Sequence, residues 1–313
     1  MKKLLSLVLT LTIVLGVFSM TACGDDTQIK VGVMSGPTGM GMAKLMHDNA
    51  ASSEKYAFSV YTSPEVATGD LTAGKLDVLC LPTNVAANLA NKSEDFISVC
   101  AINTLGSLYL LTDSSTTVNS IKDLEGKTIY ASVPTSTTGP IINFLLEQNG
   151  VNATVEFVPD HPTLVGLVKK NSASIAVLPE PMVTKALAQN SAYSVDLNLS
   201  REWDKVSTLP LAMGCIVARN DFIKEHKSVL DKFLKKYSES INYISTRSNL
   251  DSSAEMIVEA GIIDTVPNAK NALSNLFGSI VYIDGSAMKE ALIGFYQAIE
   301  FAKLPSDEFY YEK

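Results

Sequence analysis

The chain repeats itself at a spacing of 97 residues. Lys30-Val-Gly-Val-Met-Ser-Gly-Pro-Thr-Gly39 is echoed by Lys127-Thr-Ile-Tyr-Ala-Ser-Val-Pro-Thr-Ser136, so Ser35, Pro37 and Thr38 fall on Ser132, Pro134 and Thr135. Leu79-Cys-Leu-Pro-Thr-Asn84 falls on Ala176-Val-Leu-Pro-Glu-Pro181, and Phe96-Ile-Ser-Val99 on Tyr193-Ser-Val-Asp196, at the same offset and without a gap. Each copy reads strand, polar turn, helix, strand, helix, strand, turn, helix, strand. In the first copy the strands are read at Ile29–Met34, Phe58–Tyr61, Leu76–Leu81 and Ile97–Ile102, with helical spacing at Met40–Met46, Val66–Ala73 and Val85–Ala90. Alternating β and α units predict a mainly parallel sheet covered on both faces. Two such units in one chain predict two lobes with a cleft between them, and the polar turns face that cleft.

Two further apolar extended runs, 107–112 and 211–218, are read as the crossings between lobes. Beyond the second crossing the pattern is helical over Phe222–Ser245, Leu250–Ala260, Asn271–Leu276 and Ser286–Ala302, with a short extended piece at Val281–Gly285. These helices are expected to pad the first lobe.

The amino end has a different character. Lys2 and Lys3 precede an apolar run, Leu4–Phe18, and Met20-Thr-Ala-Cys23 closes it with small residues before a cysteine. The run is shorter than the roughly 20 residues a spanning helix needs. The order is that of a secretory signal peptide, and its end resembles a bacterial lipobox. That resemblance implies cleavage after residue 22, lipidation of Cys23 and a tether over 23–28. A single acyl chain anchors only marginally, and stable anchoring takes more than one. Removing the leader takes away two lysines and no acid, so the formal net charge goes from −8 to −10 over the 291 residues from Cys23. An acidic chain of this kind argues against a nucleic-acid partner, whose phosphates call for basic patches. It also argues against a charge-driven hold on anionic lipid.

Cys80, Cys100 and Cys215 all sit in apolar, strand-like runs, where a thiol behaves as a small hydrophobe. Pairing of two of them stays open in an exported chain. No C-x-x-C spacing occurs, and His47, His161 and His226 are scattered, so neither a metal site nor a cofactor is expected.

The cleft chemistry is read from the turns. Ser35, Gly36, Pro37, Thr38, Gly39 and Met40 join a strand to a helix. The glycines permit close backbone approach, Pro37 suits the first helical turn, and Ser35 or Thr38 can cap. The free amides of that helix start favour a negative or polar ligand group. Thr135, Ser136, Thr137 and Thr138 repeat the arrangement from the second lobe. The first turn lacks the lysine of a nucleotide-binding P-loop and does not complete G-x-G-x-x-G, so nucleotide hydrolysis is excluded here. Thr83 and Asn84 stand opposite Glu180 and Pro181 through the repeat. For Glu180 two roles stay open: acceptor for a ligand N–H, or an acid serving its own helix start. Tyr109 and Trp203 lie near the crossings, where an aromatic either stacks on a flat ligand or packs in the core.

Four stretches together carry a family resemblance: Val31-Gly-Val-Met-Ser-Gly-Pro-Thr-Gly39, Gly74-Lys-Leu-Asp-Val-Leu-Cys-Leu-Pro-Thr-Asn84, Ser120-Ile-Lys-Asp-Leu-Glu-Gly-Lys127 and Ile175-Ala-Val-Leu-Pro-Glu-Pro181. Trp203, Leu209–Met213 and Arg219–Phe222 add the return crossing. The chain resembles substrate-binding proteins of bacterial ABC importers, in the branch that includes nitrate-, sulfonate-, taurine- and thiamine-precursor-binding proteins. The resemblance implies an α/β, two-lobed type II periplasmic-binding fold, with two mostly parallel-sheet lobes joined by two hinge crossings. Lobe 1 would comprise 29–110 plus 212–313, and lobe 2 would comprise 111–211. It implies a non-catalytic, lipid-anchored, extracytoplasmic monomer that captures a small ligand by hinge closure and hands it to ABC permease subunits. The absence of a strongly basic pocket in the sequence points to an organic ligand. Two other roles suit the same resemblance: a ligand-sensing lipoprotein that signals to a receptor, and an enzyme like the thiamine-pyrimidine synthases.

Overall fold

The apolar runs of the repeat become the inner strands of two sheets. The computed structural model describes residues 27–52, 55–93, 95–132 and 137–312. The leader, Cys23 and its proposed lipidation therefore lie outside the described residues, as do Thr135 and Ser136.

The first copy runs β1 (Ile29–Met34), α1 (Pro37–Met40), α2 (Ala43–Ala50), β2 (Tyr56–Tyr61), α3 (Pro64–Thr72), β3 (Val78–Pro82), α4 (Thr83–Lys92) and β4 (Ile97–Leu105). The chain then crosses as β5 (Leu108–Asp113). The second copy runs β6 (Thr128–Ser132), α5 (Thr138–Gln148), β7 (Thr154–Val158), α6 (His161–Lys169), β8 (Ile175–Pro179), α7 (Met182–Gln189), β9 (Tyr193–Asn198) and α8 (Leu199–Trp203). It returns as β10 (Ala212–Arg219), followed by α9 (Asn220–Ile244), α10 (Leu250–Glu259), α11 (Val266–Asn275), β11 (Ile280–Ile283) and α12 (Gly285–Ala298). The 97-residue offset is carried by whole elements: Val78–Pro82 maps on Ile175–Pro179, and Pro64–Thr72 on His161–Lys169, at both ends.

Local chemistry sets these boundaries twice over. Ser63 caps α3 by accepting from the Val66 amide at 3.3 Å, with Pro64 at the first helical position. Asp160 caps α6 by accepting from the Thr163 amide at 2.7 Å, with Pro162 just inside. A proline there loses no intrahelical hydrogen bond and has φ already set. Strand β3 is buried along Val78–Leu81, as is β8 along Ile175–Leu178. Continuous apolar runs of this kind suit strands covered on both faces.

The six-stranded sheet has the order β11-β4-β10-β3-β1-β2, and the five-stranded sheet β7-β6-β8-β5-β9. In each, three strands run parallel: β1 with β2 and β3, and β6 with β7 and β8. The crossing strands take equivalent places. β10 lies antiparallel between β3 and β4, and β5 lies antiparallel between β8 and β9. Each copy therefore completes its sheet with a strand that enters from the other copy's side of the chain, the topology expected of two hinge crossings.

Two cores flank the six-stranded sheet. One packs Val31, Val78, Ile216, Phe233, Tyr237 and Leu273 between the sheet and helices α9 to α11. The other is continuous across both sheets and includes Leu81, Leu108, Ile141, Trp203 and Phe295. Trp203 is fully buried, packs with tilted rings 4.6 Å from Phe144 of α5 and 5.9 Å from Phe295 of α12, and donates its indole N–H to the Leu209 carbonyl at 2.7 Å. Of its two sequence-based roles, packing is the one it performs. The short helix α8 that carries it was not anticipated from the sequence, because five residues are too few to show a period.

Candidate functional site

In an open α/β sheet, ligands bind outside the carboxyl ends of the parallel strands. Those ends are Met34, Tyr61 and Pro82 in one sheet and Ser132, Val158 and Pro179 in the other. The predicted turns follow directly from them, so each sheet has a rim built by its own copy of the repeat.

In the first rim the Ser35 amide donates to the Tyr61 carbonyl at 2.8 Å, which fixes the turn to the neighbouring strand end. Neither Ser35 nor Thr38 caps α1, contrary to expectation. Gly36 occupies the cap with φ 94°, and no side chain bonds the helix start. This left-handed conformation is one that glycine adopts freely. A Cβ on Gly39 would stand 1.9 Å from the Met34 carbonyl oxygen, so only glycine lets helix and strand approach this closely. The Thr38 carbonyl accepts from the Asn103 side-chain amide of β4 at 3.2 Å. Met40 is fully buried in the sheet–helix core, away from the rim. Thr83 is also fully buried. Its hydroxyl donates to the Ala212 carbonyl at 2.8 Å, and its carbonyl accepts from the Tyr296 hydroxyl at 2.9 Å. It thus pins the start of α4 to the returning crossing strand. Asn84 beside it is buried too.

In the second rim Thr137 and Thr138 are buried at the start of α5, again with no side-chain cap. Ser132, the counterpart of Ser35, is fully buried and in hydrogen-bond contact with Nδ1 of His161. Burial pushes the His161 imidazole below its ordinary value, against the pull of Asp160. His161, one of the three scattered histidines, therefore lies at the rim. The available signal was His161's place at a helix start just beyond a parallel strand, where the first copy has Pro64.

Glu180 joins the two rims. It is 2% exposed. One carboxylate oxygen accepts from the Thr184 amide in the first turn of α7 at 3.2 Å, and the other accepts from the Asn275 side-chain amide at 2.6 Å. Asn275 ends α11, which is packed on the six-stranded sheet. Burial raises the Glu180 carboxyl above the usual carboxylate range, while these hydrogen bonds hold it back. Tyr109 donates its hydroxyl to the Asn275 carbonyl at 2.8 Å. Its phenol is pushed up to about 12, first by burial and then by the Glu180 charge. Gly36 faces Pro181 so closely that a Cβ would stand 3.4 Å from the proline Cδ. The structure therefore brings Gly36, Tyr109 and Glu180 to the contact between the copies, and turns Met40 and the Thr83 hydroxyl inward.

A cavity of about 360 Å³ lined by Met46, His47, Tyr56, Phe58, Met256 and Glu259 belongs elsewhere: Tyr56 opens β2, so the cavity lies at the amino end of the strands, opposite the rim. Cys80, Cys100 and Cys215 are buried and are not joined in a disulfide. Burial pushes the Cys80 thiol up to about 12 and Cys215 well above the usual thiol value. Among the described residues no group of three or more His, Cys, Asp or Glu side chains is placed to hold a metal ion. Among them, too, no helix is long and apolar enough to cross a membrane.

This arrangement of two sheets, paired crossing strands and facing rims is the type II periplasmic-binding-protein fold. A crystal structure described as an ABC transporter from Parabacteroides distasonis matches it with a TM-score of 0.75 at 22% identity, covering 92% of this chain and 99% of that one. The ligand-binding component of an ABC-type import system from Staphylococcus aureus, with zinc bound, matches with a TM-score of 0.71 at 11% identity over 91% and 96% of the two chains. The periplasmic aliphatic sulphonate-binding protein SsuA from Escherichia coli gives 0.71 at 13% identity over 91% and 92%. No curated protein sequence matches the chain. The chain belongs to the VitK2_biosynth family, described as menaquinone biosynthesis, whose model matches residues 37–300. Family description and structural likeness thus name different activities on one fold, and a fold by itself does not decide between them.

Proposed function

We propose that this chain is an extracytoplasmic substrate-binding protein of an ABC importer, anchored through Cys23, that captures a small organic molecule between two lobes. One lobe would be built on the six-stranded sheet and the other on the five-stranded sheet, which holds the whole of β5 and hence Tyr109. The first boundary would therefore fall between β4 and β5 rather than after residue 110, with the lobes turning about the segments that lead into β5 and β10. The observation that carries the reading is the meeting of the two strand-end rims, Gly36 against Pro181 and Glu180 against Asn275. A ligand between such rims gains contacts from both lobes only when they close, and that difference shifts the open–closed equilibrium. The candidate contacts are Ser35 to Gly39 from one rim and Thr135 to Thr138 from the other. Delivery would be to a permease that recognises the closed form. A thermal-shift screen of small organic metabolites on the purified protein tests this reading. One compound should raise the melting temperature, and Thr38→Val and Thr138→Val should each weaken its binding several-fold, as loss of one hydrogen bond does. A ligand whose affinity both variants leave unchanged would refute the site.

The family description favours a second reading, an enzyme of menaquinone biosynthesis, and the Ser132–His161 pair at the rim would give it a group able to move a proton. The expected export leader over residues 1–22 would favour capture over biosynthesis. The two readings part on the fate of the compound, which capture returns unchanged and catalysis converts.

A further inference from the structure

Asn275 makes two hydrogen bonds to the other copy of the repeat. Its side-chain amide donates to Glu180 at 2.6 Å and its carbonyl accepts from Tyr109 at 2.8 Å. These partners lie 95 and 166 residues away in sequence. Asn275 itself is held by α11, whose Ala269, Ala272 and Leu273 are fully buried against the sheet–helix core. Glu180 is held on its own side by the Thr184 amide. Both sides of the contact are therefore fixed to rigid elements, and a turn of one lobe away from the other must break both bonds. It must also carry a buried carboxylate back to water.

We propose that Asn275 is a latch that holds the lobes closed through Glu180 and Tyr109, so that Glu180 sets the closure equilibrium rather than touching the ligand. The inference rests on the reading of two lobes that close on a cleft. It narrows the two roles open to Glu180: the acid serves its own helix start and, with its second oxygen, the opposite lobe. The donor–acceptor sense of the pair is what makes it testable. Asn275 donates and Glu180 accepts, and N275D places two carboxylates against each other. E180Q/N275D restores a donor and an acceptor with the sense reversed, while the glutamine carbonyl can still accept from Thr184.

The experiment measures the distance between nitroxides at K169C and K232C, exposed positions on α6 and α9, by pulsed electron resonance on the whole chain at pH 8 without added ligand. Of the four native cysteines, Cys80, Cys100 and Cys215 are buried, and C23S removes the fourth from labelling. N275A should lengthen and broaden the distance distribution, with the open-to-closed ratio rising about tenfold or more, as expected when a hydrogen bond to a charged group is lost. N275D should open the protein further, and E180Q/N275D should return the distribution toward that of the parent. Tyr109→Phe, which removes only a hydroxyl, should open it to a smaller degree and provides a variant that keeps the core filled. An unchanged distribution in N275A and Tyr109→Phe, or a double variant as open as N275D, would overturn the latch. Because no ligand enters the measurement, its failure leaves the binding reading standing, and a failed ligand screen leaves the latch standing.

Discussion

Single residues carry consequences that local measurements can reach. Burial lowers the His161 pKa from 6.5 in the folded protein, and unfolding restores it. Between the folded and unfolded values the unfolded chain binds the additional proton, so the contribution is intact above about pH 6.5 and is lost as the pH falls through the depressed value. The urea midpoint should therefore drop on acidification below that point, and His161→Asn should flatten the drop; parallel profiles would show that the imidazole is not desolvated as described. Glycines separate by the same logic. A Cβ on Gly214 would meet Asn103 Oδ1 at 2.7 Å and Thr38 Oγ1 at 2.9 Å, so Gly214→Ala should cost about 1–3 kcal/mol and shift the first rim. Gly69 and Gly166 sit 97 residues apart inside α3 and α6 with nothing within 4 Å of a Cβ. Alanine at either should stabilise by about 0.4–1 kcal/mol in urea unfolding.

At the scale of elements, one aromatic cluster ties the copies together. Trp203 lies between Phe144 of α5 and Phe295 of α12, so Trp203→Ala should cost about 3–5 kcal/mol in equilibrium unfolding. A loss under 1 kcal/mol would mean the cluster contributes little. The elements were the most legible part of the sequence. Ser63-Pro64 and Asp160-His161-Pro162 announce helix starts by local chemistry, and the offset then confirms each boundary in a second place. The crossings at 107–112 and 211–218 were legible as apolar runs left over after the repeat, and both became antiparallel inner strands. The contact at Asn275 was not legible. It ends an ordinary helix, and its partners are set by tertiary packing with no trace in spacing. Thr83 misled for the same reason: a hydroxyl at a strand end reads as available until the Ala212 carbonyl is seen beside it.

At the scale of the whole molecule, the repeat accounts for both the likeness of the lobes and the place where they differ. Each copy supplies a rim. The first opposes Pro64 and Thr83 to the second's His161 and Glu180, and these mismatches hold the ionisable groups of the site. That leaves a protein whose shape is shared by ABC importer components and whose family is described by a biosynthetic role. The measurement that decides most directly is native mass spectrometry of the purified whole chain after incubation with a metabolite extract, with the released compound compared with the input. Capture predicts one small organic molecule bound per chain and recovered unchanged, with no product accumulating over time. Steady conversion of an extract component to a new compound, lost in His161→Asn, would contradict capture and establish the enzyme.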